Sequence, residues 1–449
     1  MFKKKSDILY IMIQARPLVE KKETIRFKII LNMIPIILLM SFYYTHYIEG
    51  LFSFFIPLLL SVFWIFQSVL ICGVKKVIFN KLSLWWWVYL FLCVTMVILG
   101  FSSTNLNFVI SRLPIYIIPG IGYFVVRNYN RKEESVLLSF FALILGSNLL
   151  YNIFLGVQFP DIFEEQESTE ASIQLRIMLN MADTAFINVC VFIIGLFLVV
   201  FLVKKHFFHR IGLVLLAIPM GYHLLIQNTR GIAILLLLVE IVGILIAYIE
   251  PKGKRNLKPY YLGMGVGLVI FTFALLIPII EFIIQNLQSE RLAERMNDLL
   301  DFIQSGGKTS QLKEGSLAMR LQLAQTSLNT FLSNPINFLI GIGDHTQSFG
   351  GDLIKSGIGG HSEFIDVAAR YGVVGIIVFF YIIKEYYRLL KRLTDKRELQ
   401  KYMNVIFYIF LMMGILNNVF EPMQLLFLYI VFPIVIELTN YNLNSLASR

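Results

Sequence analysis

The chain has 449 residues, of which 57 % are hydrophobic and 15 % charged, with a mean hydropathy of +0.72. That excludes an ordinary water-soluble globule, and the apolar runs are long enough to cross a bilayer. The net charge of +10 does not indicate a nucleic-acid binder, because Lys and Arg are split among short loops instead of being gathered on one soluble face. The three cysteines, Cys72, Cys93 and Cys190, lie in or beside apolar runs without ligand spacing, so neither a disulfide framework nor a zinc site is expected.

In chain order, residues 1–28 form a basic start (Lys3, Lys4, Lys5), with an interfacial helix expected within 6–26 and no cleavable signal. Apolar segments follow near 29–48, 51–72, 82–101, 108–126, 135–157, 184–203, 210–227, 231–249, 260–285, 364–383, 402–420 and 424–439. These predict an all-α polytopic membrane protein of about twelve spans, with nine in residues 29–285 and three in 362–439. The segment at 108–126, which holds Arg112 and two prolines, is the one most open to a re-entrant reading.

The loops alternate in charge. Lys75/Lys76/Lys81, Arg127/Arg131/Lys132, Lys204/Lys205/Arg210, Lys252 to Lys258 and Lys384 to Lys401 fall on one side, which the positive-inside rule makes cytoplasmic, together with both termini and a 440–449 tail. The other side receives an acidic loop at 158–183, the Asn228-Thr-Arg230-Gly231 turn, and a long segment over 286–361. That segment of roughly 75 residues is too long for a passive connection. Leu292, Met296, Leu299, Leu300 and Ile303 recur at helical spacing, as do Leu317, Leu321, Ala324, Leu328, Phe331 and Leu332 behind a Ser316 cap. Two amphipathic helices are expected, with Asn334-Pro335 ending the second and opening a glycine-rich loop.

Polar residues gather at the outer ends of the spans: Arg112, Arg176, Arg230, Arg320, His361, Glu363 and Asp366. Each has a bland reading. Arg230 can snorkel to lipid phosphates, Arg320 can edge a surface helix, and Glu363 and Asp366 suit a helix N-terminus, with Asp366 pairing Arg370 four residues on. The functional reading makes the arginines clamps for a phosphate or pyrophosphate and His361 a base near neutral pH, with His223 and His345 as competitors. A metal held by His345, His361, Glu363 and Asp366 would follow no ligand spacing known for such sites, so no metal is expected. Glu240 stands alone near the middle of a span and reads either as part of a transporter's proton path or as a bond across the bundle.

The order of these features resembles the O-antigen polymerase and O-antigen ligase superfamily. The resemblance rests on Thr229-Arg230-Gly231 before a span, an arginine on the helix of a long outer loop, Asn334-Pro335 followed by Gly341-Ile-Gly343, and His361 leading into Tyr371-Gly372-Val-Val-Gly375. Members commonly have His-Asn where this chain has His361-Ser362. The resemblance implies a fold like the C-type glycosyltransferases. It implies an inverting, metal-independent and cofactor-free enzyme in the bacterial cytoplasmic membrane that uses sugars on undecaprenyl pyrophosphate. Arg230 and Arg320 would then grip the pyrophosphate, aided by Arg112 and Arg176, with His361 deprotonating or positioning the acceptor and Glu363 or Asp366 as alternative bases or holders.

The expected reaction is capsule or O-antigen polymerisation, in which a growing glycan moves onto a new lipid-linked repeat unit. A ligase with another acceptor and a non-enzymatic flippase for lipid-linked sugars are the alternatives. The expected partners are lipid-linked oligosaccharides, membrane lipids, and the flippase and chain-length regulator of the same pathway.

Overall fold

Long runs of apolar residues can cross a bilayer only if every backbone polar group is bonded within the segment, and the helix does this locally. The computed structural model describes residues 28–44, 55–102, 104, 106–158, 184–203, 217, 220–221, 231–249, 297, 316–344, 357–360, 362–394 and 396–447. Its long helices are Lys28–Tyr44 (α1), Phe55–Cys72 (α2), Lys81–Ile98 (α3), Leu106–Ser111 (α4) continuing as Leu113–Asn128 (α5), Arg131–Gln158 (α6), Thr184–Val203 (α7) and Gly231–Ile249 (α8). Ser316–Leu332 (α9) and the short Pro335–Ile340 (α10) precede Glu363–Lys391 (α11), Arg397–Leu416 (α12), Pro422–Leu426 (α13) and Phe432–Ala447 (α14). Among the described residues, seven helical stretches are long and apolar enough to span a membrane, and three shorter apolar helices accompany them. No strand occurs among the described residues.

Ten of the twelve expected apolar segments are therefore helices. The runs at 210–227 and 260–285 lie outside the described residues except for positions 217, 220 and 221, as does the amphipathic segment at 292–303 except for 297. The final span departs from a plain helix. A π-helical turn at Phe427–Val431 joins α13 to α14, and Gly122 of α5 packs so closely on the Tyr429 carbonyl that a side chain there would overlap it. Between spans, polar side chains bond across the apolar interior: Asn32 donates to Ser68 Oγ at 2.8 Å and accepts from Trp64 Nε1 at 3.1 Å.

The helix directions place the ends of α3 and α12 and the starts of α4, α11 and α13 at one end of the bundle, where α9 and α10 pack on α11. We call this the docked end. The basic turns at 73–80, 128–131 and 391–397 lie at the other, where Arg131 stacks on the Tyr441 ring.

Several expectations are corrected here. Asn334-Pro335 does not open the loop. Asn334 instead caps α10, its side chain accepting from Asn337 N at 2.8 Å with Pro335 in the first turn. The buried face of α9 runs through Leu323 and Ser327, while Leu328 and Leu332 are exposed together with Ile336 and Leu339 of α10. That apolar edge suits contact with lipid at a membrane boundary. The tenth span is longer than 364–383 and is broken at Gly372, whose φ of 59° and ψ of −155° interrupt the helix.

Candidate functional site

The docked end is held by two glycines that meet backbone to backbone. Gly341 (φ 75°) and Gly372 (φ 59°) both take left-handed conformations, which L-residues with a Cβ rarely adopt. A Cβ on Gly341 would overlap the backbone of Arg370 and Tyr371, and one on Gly372 the backbone of Leu339 and Ile340. The break at Gly372 leaves carbonyls of the preceding turn without helical partners, and the loop supplies them. Ile342 N donates to Ala369 O at 3.0 Å, and Gly343 N to Arg370 O at 2.8 Å. The glycine-rich loop and the kinked helix are thus one interlocked unit.

That interlock delivers Asp344 to the side of α11. Arg370 Nε lies 3.2 Å from Asp344 Oδ1, and its Nη1 lies 4.0 Å from Glu363 Oε1, about two helical turns away. Tyr371 donates its hydroxyl proton to Asp344 Oδ2. Because that proton is committed, the 3.0 Å contact between Tyr371 and Cys93 places the thiol as donor. Tyr116 then donates to Cys93 Sγ across 3.4 Å. The Asp344 carbonyl also accepts from the Ser102 hydroxyl and from Thr104 N, fixing the loop to the end of α3.

Around these groups lies an open cavity, about 610 Å³ when the part open to solvent is counted. Trp86, Tyr89, Tyr116, Tyr371, Ile115 and Phe420 form its walls. Arg112, Arg370, Asp344, Glu363, Glu421 and Asn418 supply its polar groups. Arg112 sits where α4 gives way to α5, its guanidinium 4.4 Å from the centre of the Phe108 ring. The carboxylates of Glu421 and Asp344 act on it electrostatically. Among the described residues no group of three or more His, Cys, Asp or Glu side chains is placed to hold a metal ion.

Of the residues singled out from the sequence, Glu363 and Arg112 reach this cavity. Asp366 does not. It is fully buried, accepts from Ser327 Oγ of α9 at 2.6 Å and from Ser362 N at 3.1 Å, and so clamps α9 to the start of α11. Ser327 Oγ in turn accepts from Gly359 N at 2.7 Å. The expected Asp366–Arg370 pairing is replaced by the ion pairs of Arg370 with Asp344 and Glu363. Arg320 belongs to α9, but its side chain lies outside the described residues, as do Arg176, Arg230 and His361 altogether. The residues on either side of His361 are anchored at the corner between α12 and α13. Gly360 O accepts from Asn418 Nδ2 at 2.9 Å, and Glu363 N donates to Asn417 O at 3.3 Å. Ser362 Oγ is buried without a partner among the described residues.

Sequence reasoning missed Asp344 and Glu421 as site groups and treated Arg370 only as a partner for Asp366. One available signal was Arg370 itself, a charge inside an apolar span and so a functional candidate by default.

Residues 215–380 match the family model described as O-antigen ligase. No curated protein matches the chain. The matched stretch contains the interlocked loop and helix with Asp344, Glu363, Arg370 and Tyr371, while Arg112, Tyr89 and Glu421 come from outside it. Members of that family are glycosyltransferase-like enzymes. The chain is thus an all-α membrane protein, and the match of its residues 215–380 to the O-antigen ligase family model supports the O-antigen polymerase and ligase superfamily.

Proposed function

We propose that this protein is a polysaccharide polymerase of the bacterial cytoplasmic membrane. It transfers a growing glycan from undecaprenyl pyrophosphate to the non-reducing end of a new lipid-linked repeat unit, with inversion and without a metal. The observation that carries this reading is the cavity at the docked end, where Glu363 stands beside the buried Arg370, Arg112 and aromatic walls.

In the reaction, an acceptor hydroxyl attacks the anomeric carbon of the donor as the bond from that carbon to the pyrophosphate oxygen breaks. Undecaprenyl pyrophosphate leaves with the bonding pair, and the hydroxyl proton passes to a base. His361 is the proposed base, and its chain neighbours are fixed by Asn417 and Asn418. Glu363, lining the cavity, is the carboxylate that can share that role. Asp366 acts by positioning, since its bonds hold Ser362 and α9 in place. Arg230 and Arg320, with Arg176, are proposed to grip the pyrophosphate, where charge grows in the transition state and cations lower the barrier. The basic end of the bundle, which bears Lys75, Lys76, Arg127 and Lys391, supports a cytoplasmic placement of that end and of both termini. Lipid-linked oligosaccharides are the proposed substrates, with a flippase and a chain-length regulator as partners in the same membrane.

The test is a gel ladder from purified protein in liposomes given one lipid-linked repeat unit, with and without a chelator. The expected result is a chelator-resistant ladder that His361→Ala and Arg320→Ala both abolish. Well-folded wild type that gives no ladder with a matched substrate, but joins the glycan to another acceptor, would make it a ligase.

A further inference from the structure

We infer that the cavity at the docked end binds an uncharged sugar ring of the acceptor and not the donor's pyrophosphate. The inference rests on the transferase reading above and deepens it by assigning this cavity to one part of one substrate.

The charges decide the matter. Among the described residues that line the cavity, two guanidinium groups, Arg112 and Arg370, face three carboxyl groups, Asp344, Glu363 and Glu421. Arg370 is engaged by Asp344 at 3.2 Å and Glu363 at 4.0 Å, and Arg112 lies in the field of Glu421 and Asp344. With all groups ionised the cavity is net negative. With one carboxyl protonated it is neutral. It is a cationic site in neither state, and a pyrophosphate brought into it would meet three carboxyl groups, two of them already paired with Arg370.

The same groups suit a sugar. Carboxylate oxygens have spare lone pairs that accept hydrogen bonds from hydroxyl groups, and a pyranose presents several at fixed angles. Its C–H face packs on aromatic rings, and Tyr89, Tyr116 and Phe420 line the cavity. The interior also disfavours a carboxylate on the ligand, which would repel three acids. Glu363 provides the argument for acceptor over donor. Its carboxylate is the kind of group that receives a hydroxyl proton, whereas the donor must keep its leaving group among cations. Arg112 therefore organises Glu421 and Asp344 and does not clamp phosphate.

The experiment is saturation-transfer NMR on the full-length protein in nanodiscs, with methyl glycosides of neutral hexoses and 2-acetamido hexoses, the corresponding methyl uronides, and inorganic pyrophosphate as probes. Wild type should saturate at least one neutral glycoside, bind its uronide at least tenfold more weakly, and show no displacement of the glycoside by pyrophosphate. Glu421→Gln and Phe420→Leu, checked for an unchanged elution profile and melting transition, should each weaken the glycoside signal at least fivefold. Arg112→Gln should leave pyrophosphate binding to the protein unchanged. The inference is overturned by pyrophosphate displacing the glycoside, by pyrophosphate binding that Arg112→Gln removes, by uronides binding as well as neutral sugars, or by no glycoside signal from protein that forms the ladder. A glycoside signal with the expected variant pattern, but no transfer reaction, would refute the polymerase and leave the sugar site standing.

Discussion

Two buried carboxyl groups, Glu363 at the start of α11 and Glu240 in the middle of α8, sit in wholly different surroundings. Glu363 faces Arg370, aromatic walls and an open cavity. Glu240 is fully buried, and neither of its carboxyl oxygens has a partner among the described residues. It is packed against α7 at Gly195, where a Cβ would collide with the carboxyl, and the next turn of α8 at Gly243 leans on Val405 of α12. A carboxyl inside a span is therefore not enough to mark a reaction centre. What distinguishes the first region is a counter-charge, a wall on which a ligand can pack, and room for it.

The comparison is tested most severely through the counter-charge. Arg370→Gln leaves Asp344 and Glu363 buried without their cation, and breaking such a pair costs about 3–5 kcal/mol. Denaturation in detergent should show that loss, with the ladder abolished. Glu363→Gln keeps a hydrogen-bonding group of the same shape but cannot accept the hydroxyl proton as a carboxylate. A rate drop of about 100-fold, roughly 2.7 kcal/mol in the barrier, is expected at an unchanged melting temperature; a drop below threefold would remove Glu363 from the chemistry.

Gly372→Ala forces a side chain into a left-handed conformation and against the Leu339–Ile340 backbone. It should destabilise the docked end by about 1–3 kcal/mol, seen as faster proteolysis between residues 341 and 360. Tyr371→Phe removes only the hydroxyl shared by Asp344 and Cys93. The expected cost is about 1 kcal/mol, again read by denaturation.

How much of this the sequence disclosed follows from the range over which each feature is encoded. The spans were legible because hydrophobicity over about 20 contiguous residues is a local property, and ten of them stand where the apolar runs lie. Arg112 and Glu363 were legible because charge at the end of such a run is conspicuous. The meshing of Gly341 with Gly372 and the pairing of Asp344 with Arg370 join loop to helix across more than 20 residues, and no periodicity announces them. Asp366 misled because an i, i+4 pairing with Arg370 is the default expectation on a helix. Ser327, on another helix, takes that carboxylate instead. Glu421 reaches the cavity only through the corner that begins at Asn417, a turn whose direction depends on the packing of α12 and α13.

The smallest expected effect lies at Glu240. Glu240→Gln retains the size of a side chain that has no ion pair and lines no cavity among the described residues, so no step of glycan transfer is expected to depend on it. Ladder formation should stay within twofold of wild type, and stability should change by about 1 kcal/mol or less, because the substitution removes no hydrogen bond or ion pair seen in the structure. A carboxyl that instead carried protons through the bundle could not be replaced by an amide. If Glu240→Gln abolished function while His361→Ala and Arg320→Ala left it intact, the carboxyl without a counter-charge would be the working one, and the protein would be a carrier for lipid-linked sugars.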